Sequence, residues 1–554
     1  MKYTSAFIII YCLPYLVFAD VENIIRLEPS TNLPPDISAP IDHSFAGFGI
    51  ESSNLFSFTG GAQPNTLTIN LLNNLANYAG KPPHIRIGGN TQDYMIFQES
   101  QNDWSWVENP NAVGQGNIKP DSMLIGPRFF ESANRLPQGT TVTWGLNLAY
   151  EQADFLERIT EMANQAISRC PNLNITSFEI GNEPDLYTQN GFRTGPWGGK
   201  VFTGEWLARA SAISTQVLAP KGIPSNFFEA AATASTIGTD FQIANLVTFG
   251  VSAAATAGSP TPYLSGWNQH DYYYYIGVSP YPITLERLMT LRTTEDQFAA
   301  WQAQVEQAAQ TPYPYALREI GVVGPIGLQS VTDVFGAALW TLNFLLYTAS
   351  LGVAAVGLHM TDTSNASAWL PVPMYGLEPR VRPLYYGVVA FDQIIGPLSS
   401  CTETRIARCE VLAWPAGYED LVRAYVVYQR GQLASVVVVN GMLANSSLGN
   451  KGNVTEKLQL PASMAGQVVY LAYLTSPGAD AVDNTTWNGI SFEKSGDGTP
   501  TQVGDGQQTV QVAANGTASF SLRDSEAVVA SLGRKVGEAG SCTMPHAKFP
   551  DWEV

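Results

Sequence analysis

The stretch TVTWGLNLAYEQADFLERITEMANQAISRCPNLNITSFEI, residues 141–180, decides the predicted fold. Its first part, residues 141–148, is rich in β-branched and apolar residues and predicts a strand. Residues 153–168 then place apolar side chains at the spacing of an amphipathic helix. Residues 175–180 predict a second strand. A strand, a helix and a strand in this order form the unit from which parallel sheets are built.

The same alternation continues on both sides of this unit. Upstream, residues 68–78 predict a helix that ends at Gly80, and residues 84–87 predict a strand. Downstream, a strand, a helix and a strand are predicted at residues 315–322, 333–350 and 353–359. Such repeats imply a parallel sheet, closed or open. A closed barrel is favoured because the length leaves room for eight units and because the polar motifs fall at strand ends. We therefore predict an α/β fold, a (β/α)8 TIM barrel over residues 40–390.

The chain changes character after about residue 390. Short β-rich runs with turns between them follow one another at residues 421–428, 433–439, 468–474, 509–512, 518–522 and 527–532. They predict a β-sandwich domain over residues 391–535. Residues 536–554 are polar and predict an irregular tail.

The N-terminus predicts an export signal at residues 1–19. Lys2 supplies the positive start, residues 7–18 are apolar, and residues 17–19 offer a cleavage site before Asp20. The apolar stretch is shorter than the roughly 20 residues of a membrane span, so an uncleaved anchor is the less favoured alternative. We therefore expect a secreted protein that has no membrane attachment after cleavage.

Export changes what is expected of the cysteines and asparagines. An even number of cysteines in an oxidising compartment favours disulfides. Cys401 and Cys409 flank a short polar segment and are predicted to pair, which leaves Cys170 and Cys542 as the remainder. Six N-x-S/T sequons predict glycosylation at Asn174, Asn365, Asn445, Asn453, Asn484 and Asn515.

Charge and motif spacing argue against several classes of function. The formal net charge of −18 argues against binding of nucleic acid and against capture of a polyanion by charge alone. The chain has no close CxxC pair and no histidine cluster, so we expect no metal site. The polar turn at residues 86–93 lacks the G-x-G-x-x-G spacing of a nucleotide loop, so we expect no cofactor.

The strongest chemical signal is FEIGNEP, residues 178–184. A strand ends there, because Pro184 cannot continue the ladder and favours a turn. The strand thus delivers Glu183 to the mouth of the barrel, and Asn182 beside it offers an amide to a sugar hydroxyl. The alternative is a loop with an incidental acidic residue.

Hydrolysis of a glycoside requires a second carboxyl group, at the end of a later strand. YALREIG, residues 315–321, supplies Glu319 in an otherwise largely apolar strand. A lone carboxylate is costly there unless it has a partner or a task, and a salt-bridged strand end is the alternative. Carboxyl groups about 5–5.5 Å apart would indicate a retaining enzyme, and about 6.5–9.5 Å an inverting one.

Two further strand ends carry candidate residues. Residues 267–273 combine aromatic and polar groups that suit a sugar ring, and from them we expect His270 and Tyr272 at the site. An aromatic surface patch or a core tyrosine cluster is the alternative. His359 also ends a predicted strand, where a structural role is as common as a functional one.

Four segments together resemble glycoside hydrolase family 79, the family of fungal and bacterial β-glucuronidases and animal heparanase. They are RIGGNTQDYMIF (86–97), FEIGNEPDLY (178–187), QHDY (269–272) and FGAALW (335–340). The resemblance covers roughly residues 40–390, and the C-terminal part resembles the β-domain of that family. It implies that a strand from residues 20–39 completes this β-domain.

The resemblance also implies roles for particular residues. It implies a retaining mechanism with Glu183 as general acid/base and Glu319 as nucleophile. It implies that Asn182 contacts the sugar 2-hydroxyl and that Glu51 and Asn90 lie at sugar-binding positions.

Two positions depart from the family pattern. Family glucuronidases carry a tyrosine five residues after the nucleophile, which helps to hold the sugar carboxylate, and here that position is Gly324. A second tyrosine is expected seven residues after the strand-end histidine, and here that position is Ala366. Backbone N–H groups of Ala366 and Ser367 could still bind a carboxylate. A glycan on Asn365 would crowd the same mouth.

Three hypotheses about function follow. The first is a secreted retaining exo-β-glycosidase that releases glucuronic acid, or a modified form of it, from an oligosaccharide or polysaccharide. The second keeps this chemistry but changes the sugar to a non-uronic one. The third is an inactive carbohydrate-binding relative. Endo-activity on a sulfated polymer is disfavoured because no Lys/Arg cluster lies near the motifs.

Overall fold

A computed structural model describes residues 23–35, 37–256, 259–396 and 403–538. Eight parallel strands close into a barrel, and each pairs with its predecessor and successor around the ring. With β1 (Ile24–Leu27) lying outside the barrel, the eight are β2 (Ala46–Glu51), β3 (Ile85–Gly88), β4 (Thr141–Leu146), β5 (Asn174–Ile180), β6 (Phe228–Thr233), β7 (Leu264–Asp271), β8 (Tyr315–Ile320) and β9 (Ala355–Met360). The predicted (β/α)8 barrel is confirmed.

Helices connect the barrel strands and the barrel to the second domain. They are α1 (Leu55–Thr59), α2 (Thr66–Ala79), α3 (Pro127–Ala133), α4 (Phe155–Arg169), α5 (Gly199–Ile213), α6 (Ile243–Phe249), α7 (Leu285–Met289), α8 (Thr293–Ala309), α9 (Phe335–Ser350) and α10 (Leu384–Ile395). Helix α2 illustrates why they form where they do. The Asn65 side chain accepts a hydrogen bond from the backbone N–H of Thr68 and caps the helix. Leu71 and Leu75 are buried on one face, and Gly80, with φ 82°, ends the helix.

The second domain consists of two antiparallel-rich sheets. Its main strands are β10 (Thr404–Arg408), β11 (Val411–Ala413), β12 (Val422–Gln429), β13 (Gln432–Asn440), β14 (Asn453–Gln459), β15 (Val468–Thr475), β16 (Gln508–Gln511), β17 (Thr517–Arg523) and β18 (Glu526–Leu532). One sheet has the order β11-β1-β14-β17, and the other contains β10-β12-β13-β18-β15, with β16 also pairing with β15. Short strands at 486–487, 490–491 and 501–502 extend the second sheet. The predicted β-domain after the barrel is thus confirmed as a fold.

Strand β1 joins the N-terminal segment to this second domain. It pairs parallel to β14, with Ile25 opposite Glu456 and Leu27 opposite Leu458, and antiparallel to β11. Ile25 and Leu27 are fully buried in the core that fills the space between the two sheets. The family pattern implied this arrangement.

The barrel and the second domain share an interface. Tyr425 of β12 donates a hydrogen bond to Asn343 Oδ1 of α9 over 2.8 Å. Arg423 Nε donates to Glu295 Oε1 of α8 over 2.7 Å. One continuous apolar cluster contains residues of both regions. The domain boundary near residue 390 stays a prediction.

Several sequence predictions fall outside the described residues. These are the export signal, Cys401, Cys542 and the tail beyond residue 538, so both predicted disulfides stay predictions. Cys170 and Cys409 lie within the described residues and are not bonded to each other. Among the described residues, no helix combines the length and apolarity that crossing a membrane requires. Four sequon asparagines (Asn174, Asn453, Asn484 and Asn515) are exposed and two (Asn365 and Asn445) are half-buried.

We predict that Ile25→Ala will destabilise the protein by about 2–5 kcal/mol, because a buried aliphatic side chain is lost and a cavity remains. Thermal unfolding followed by near-UV circular dichroism will measure the change as a lower melting temperature. Arg26→Ala is the matched control, since Arg26 lies on the same strand and is exposed. Equal melting temperatures for the two variants would contradict a stabilising role for β1.

Candidate active site

The carboxyl ends of the barrel strands bring most of the predicted site residues together. Glu51, Glu183, His270, Glu319 and His359 come from five different strands or strand ends. One carboxylate oxygen of Glu183, one ring nitrogen of His270 and one carboxylate oxygen of Glu319 all lie within 4.8 Å of one another. Because parallel strands of a barrel point the same way, their ends form one face, and this cluster lies on it.

Glu183 is held by its backbone and by a histidine. It follows β5 in the left-handed region, with φ 48°, and its N–H donates to the carbonyl of Ala232 over 2.8 Å. One side-chain oxygen lies 3.0 Å from His270 Nδ1. Burial lowers the pKa of His270 to about 4, so this ring is neutral near neutral pH. Because the ring is neutral, His270 supplies no positive charge to stabilise an ionised Glu183.

Burial also governs the proton affinity of Glu183. It raises the pKa of Glu183 to about 8, and the nearby negative charge of Glu319 adds to the rise while Arg86 opposes it. Glu183 therefore carries a proton at neutral pH, as a group that must donate one requires.

Glu319 lies beside Glu183, but its surroundings shift its pKa in the opposite direction. Tyr272 donates to its Oε1 over 2.9 Å, and Arg86 donates to its Oε2. Burial alone would raise the pKa of Glu319, but interaction with the His359 and His270 rings in their protonated forms, and with the Arg86 guanidinium and its hydrogen bond, outweighs burial and lowers it. Arg86 is the member of this set that stays charged at every relevant pH, so Glu319 is a carboxylate.

Arg86, which sequence reasoning did not single out, connects the site. It is buried on β3, and its guanidinium donates to Glu179 as well as to Glu319. It also donates to Asn182 Oδ1 over 2.7 Å. Asn268 donates to Glu179 Oε2, which also accepts from Arg86 Nε. The signal in the sequence was a charged residue inside the apolar strand Ile85–Gly88, where an arginine needs buried partners.

The family resemblance implies that Asn182, Asn90 and Glu51 bind sugar, and hydrogen bonds fix the side chains of all three. Asn182 Nδ2 donates to Asn90 Oδ1 over 2.9 Å. Glu51 Oε1 accepts from the N–H of Thr91 over 3.0 Å, and Glu51 Oε2 lies 3.9 Å from His359 Nε2. At Gly89, whose φ is 105°, a Cβ would lie 2.3 Å from the Glu51 carboxylate. Glycine is therefore required there for the turn to approach Glu51. Their contacts with sugar stay predictions.

Asp93 is a second residue that sequence reasoning missed. Its buried carboxylate accepts hydrogen bonds from the N–H groups of Asn182 and Leu148, each over 2.9 Å. It also accepts from the N–H of Ala149 over 3.3 Å and from the hydroxyl of Tyr187 over 2.7 Å. It thus ties the turn that carries Glu183 to the ends of two neighbouring strands.

Ala366 and Ser367 lie in a loop after β9 and are both buried. The N–H of Ala366 donates to Ser364 Oγ over 3.0 Å, and that of Ser367 points at the Ser364 carbonyl at 3.5 Å. These internal acceptors compete with a sugar carboxylate. Their predicted role in binding it therefore gains no support from the geometry.

The three atoms that lie within 4.8 Å of one another could in principle ligate a cation. Glu319, however, already accepts from Arg86 and Tyr272, and a cation would have to lie beside the Arg86 guanidinium. The arrangement therefore suits proton transfer and a sugar better than a metal ion.

Comparison with known proteins agrees with this chemistry. Residues 424–529 match the model of the glycosyl hydrolase family 79 C-terminal beta domain. A β-glucuronidase of Aspergillus niger is 28% identical over 491 residues, which cover 84% of this chain and 85% of that protein. A β-glucuronidase of Neurospora crassa is 25% identical over 531 residues, covering 87% of this chain and 90% of that protein.

Solved structures agree on the fold. A 4-O-α-L-rhamnosyl-β-D-glucuronidase of Fusarium oxysporum superimposes with a TM-score of 0.72 at 19% identity, covering 92% of this chain and 100% of that chain. A family 51 α-L-arabinofuranosidase of Bifidobacterium longum gives 0.59 at 14% identity, covering 91% and 99%. The two curated relatives, which match over most of their length, show that the chain is a glycoside hydrolase. The match of its C-terminal domain and these relatives support a place in glycoside hydrolase family 79.

We predict that Asp93→Asn will lower kcat about 10- to 100-fold, because losing one acceptor shifts the turn that presents Glu183. Steady-state hydrolysis of a chromogenic glycoside will measure the loss. Tyr187→Phe is the matched control, since it removes one of the four donors and leaves the three backbone N–H contacts in place. An Asp93→Asn enzyme with the kcat of wild type would show that the turn holds its geometry without this carboxylate.

Proposed function

We propose that this protein is a secreted retaining exo-β-glycosidase, with Glu183 as general acid/base and Glu319 as nucleophile. The observation that carries the proposal is the close approach of the two carboxyl groups, whose nearest oxygens are within 4.8 Å. That separation favours direct attack by one carboxylate, since an inverting pair leaves room for water at about 6.5–9.5 Å. Their opposite protonation states support the two different roles.

In the first step the Glu319 carboxylate attacks the anomeric carbon and the bond to the leaving oxygen breaks. Glu183 gives its proton to that oxygen and becomes a carboxylate. Tyr272 and Arg86 each hold one oxygen of Glu319, so the nucleophile is oriented before attack.

In the second step water attacks the same carbon, the ester bond between that carbon and Glu319 breaks, and Glu183 takes a proton from the attacking water. The negative charge of Glu319 is one cause of the high pKa of Glu183. Once Glu319 is esterified that charge is gone, so the pKa of Glu183 falls. The same residue therefore changes from acid to base when the mechanism needs it.

We propose glucuronic acid, or a modified form of it, as the sugar that is released from glycans. Two similar proteins over most of the chain are β-glucuronidases, which supports this choice. The loops after β2, β7, β8 and β9, residues 52–65, 272–284, 321–334 and 361–379, contain no Lys or Arg. These four loops therefore offer no positive charge to a sulfated polymer, whose binding requires clustered positive charge.

A second candidate keeps the mechanism and changes the sugar to a non-uronic one. It is favoured by Gly324 and Ala366, which stand where family glucuronidases carry tyrosines. An inactive carbohydrate-binding protein is disfavoured because both carboxyl groups are present and oppositely tuned.

We predict that wild type will hydrolyse 4-nitrophenyl β-glucuronide in preference to the matched β-glucoside. Glu319→Gln should lose at least about 10³-fold in kcat, because the nucleophile is removed. NMR of the first-formed product will show the β-anomer if the enzyme is retaining. Unchanged far-UV circular dichroism of the variant controls for folding. Cleavage of the glucoside alone would keep the mechanism and overturn the sugar, and cleavage of neither would favour the binding protein.

The pH dependence tests the assignment of Glu183. The free enzyme must hold Glu183 protonated, so we predict that kcat/KM will fall as pH rises through about 8. The acid-side loss should lie below the ordinary range of a glutamate, since the pKa of Glu319 is lowered. Glu183→Gln should remove the basic limb and lower kcat about 10²- to 10⁴-fold on a substrate with a poor leaving group. A basic limb that persists in this variant would assign the titration to another residue.

A further inference from the structure

The loop after β7 places two tyrosine rings against the loop that follows Glu319. A Cβ on Gly321 would lie 2.8 Å from Tyr272 Cε1. A Cβ on Gly324 would lie 2.6 Å from Tyr275 Cδ2 and 2.7 Å from Tyr272 Cδ1. The two glycines therefore leave the space that the two rings occupy.

The position of Tyr275 is fixed by hydrogen bonds on both sides. Gly324 N–H donates to the carbonyl of Tyr274, and the N–H of Ile276 donates to the carbonyl of Gly324, each over 2.8 Å. The N–H of Tyr275 donates to Ser279 Oγ over 3.0 Å. Its ring meets that of Tyr272 edge-on, with centroids 5.9 Å apart. Tyr275 thus lies directly beside the tyrosine that donates to the nucleophile.

The hydroxyl of Tyr272 donates to Glu319. The hydroxyl of Tyr275, in contrast, has no hydrogen-bond acceptor among the described residues of the protein. The side chain is half-buried, so solvent reaches it only in part. Burial, then the negative charges of Glu183 and Glu319, raise the pKa of Tyr275. The hydroxyl is therefore a neutral, unused donor close enough to the two carboxyl groups to feel their charge.

The two oxygens of Glu319 define which part of a bound sugar this donor meets. Oε2 accepts from Arg86, which also binds Asn182, whereas Oε1 accepts from Tyr272. Asn182 is thus linked through Arg86 to one oxygen of the nucleophile, and Tyr272 binds the other. In a pyranose the anomeric carbon stands between C2 and the ring oxygen. With Asn182 at the 2-hydroxyl, the ring oxygen and the C5 substituent lie on the tyrosine side.

We propose that Tyr275 is a specificity-determining residue whose hydroxyl donates to the carboxylate at C5 of a β-glucuronide. This inference rests on the proposed function. Tyr275 supplies from the loop after β7 the donor that glycine at position 324 cannot supply. A hydrogen bond to a charged group is worth more than one to a neutral hydroxymethyl, so Tyr275 favours the uronic sugar.

The test compares Tyr275→Phe with wild type on 4-nitrophenyl β-glucuronide and β-glucoside. Phenylalanine keeps the ring against Gly324 and removes only the hydroxyl. We expect the ratio of kcat/KM for glucuronide over glucoside to fall about 10-fold, mainly through KM. Tyr273→Phe is the matched control, because Tyr273 packs against Tyr274 and its hydroxyl is paired with Tyr281. Its ratio should equal that of wild type.

A second variant removes the ring as well as the hydroxyl. Tyr275→Ala should lose glucuronide selectivity at least as far as Tyr275→Phe does. A Tyr275→Phe ratio equal to that of wild type, or equal losses on both sugars, would overturn the inference alone. Wild type that cleaves glucoside but no glucuronide would overturn both this inference and the proposed sugar.

Discussion

The buried ion cluster around Arg86 is the constraint on which the rest of the site depends. One guanidinium, fully enclosed on β3, bonds the carboxylates of Glu179 and Glu319 and the amide oxygen of Asn182. Enclosed charges are tolerable only when they are paired and hydrogen-bonded. The barrel meets this condition by drawing the partners from β3, β5 and β8, so the strands must keep their register for the charges to be satisfied. The positions of Glu319 and Asn182 are therefore fixed, because a shift of either would leave buried groups of this cluster without their partners.

The same cluster explains how two glutamates acquire different protonation states. Glu51, Glu179, Glu183 and Glu319 share one neighbourhood, yet Arg86 is the cation there that is charged at every relevant pH, and His270 is neutral near pH 7 because burial lowers its pKa. Arg86 bonds Glu179 and Glu319 and does not reach Glu183 with a hydrogen bond among the described residues. A bound proton is then the least costly way to neutralise Glu183, and burial raises its pKa accordingly. The proposed acid of the pair is therefore the carboxyl group that the guanidinium does not pair with.

The sequence predicted what depends on local pattern and missed what depends on distant partners. The strand, helix and strand of residues 141–180 were predictable because their apolar spacing is local, and the structure has them as β4, α4 and β5. Glu183 and Glu319 were found because a carboxyl group at a strand end is conspicuous. Arg86 was not, because its partner Glu319 is 233 residues away. Strand β6 was also missed, since Phe228–Thr233 is rich in alanine and carries little β signal. For Ala366 the sequence could not show that Ser364 occupies its N–H.

The two proposals assign chemistry and specificity to different parts of this fold. The ion cluster lies within the barrel strands, where a change at one residue leaves a buried charge without its partner. The loop after Glu319 is held instead by backbone hydrogen bonds, and Gly321 and Gly324 let it pack closely against the rings of Tyr272 and Tyr275. Its composition can change without disturbing Arg86. A family can consequently keep the paired carboxyl groups while the donor to the C5 substituent moves from one loop to the next. Under this proposal, the departure from the family pattern at position 324 bears on which residue reads the sugar, and it also leaves the space that the ring of Tyr272 occupies.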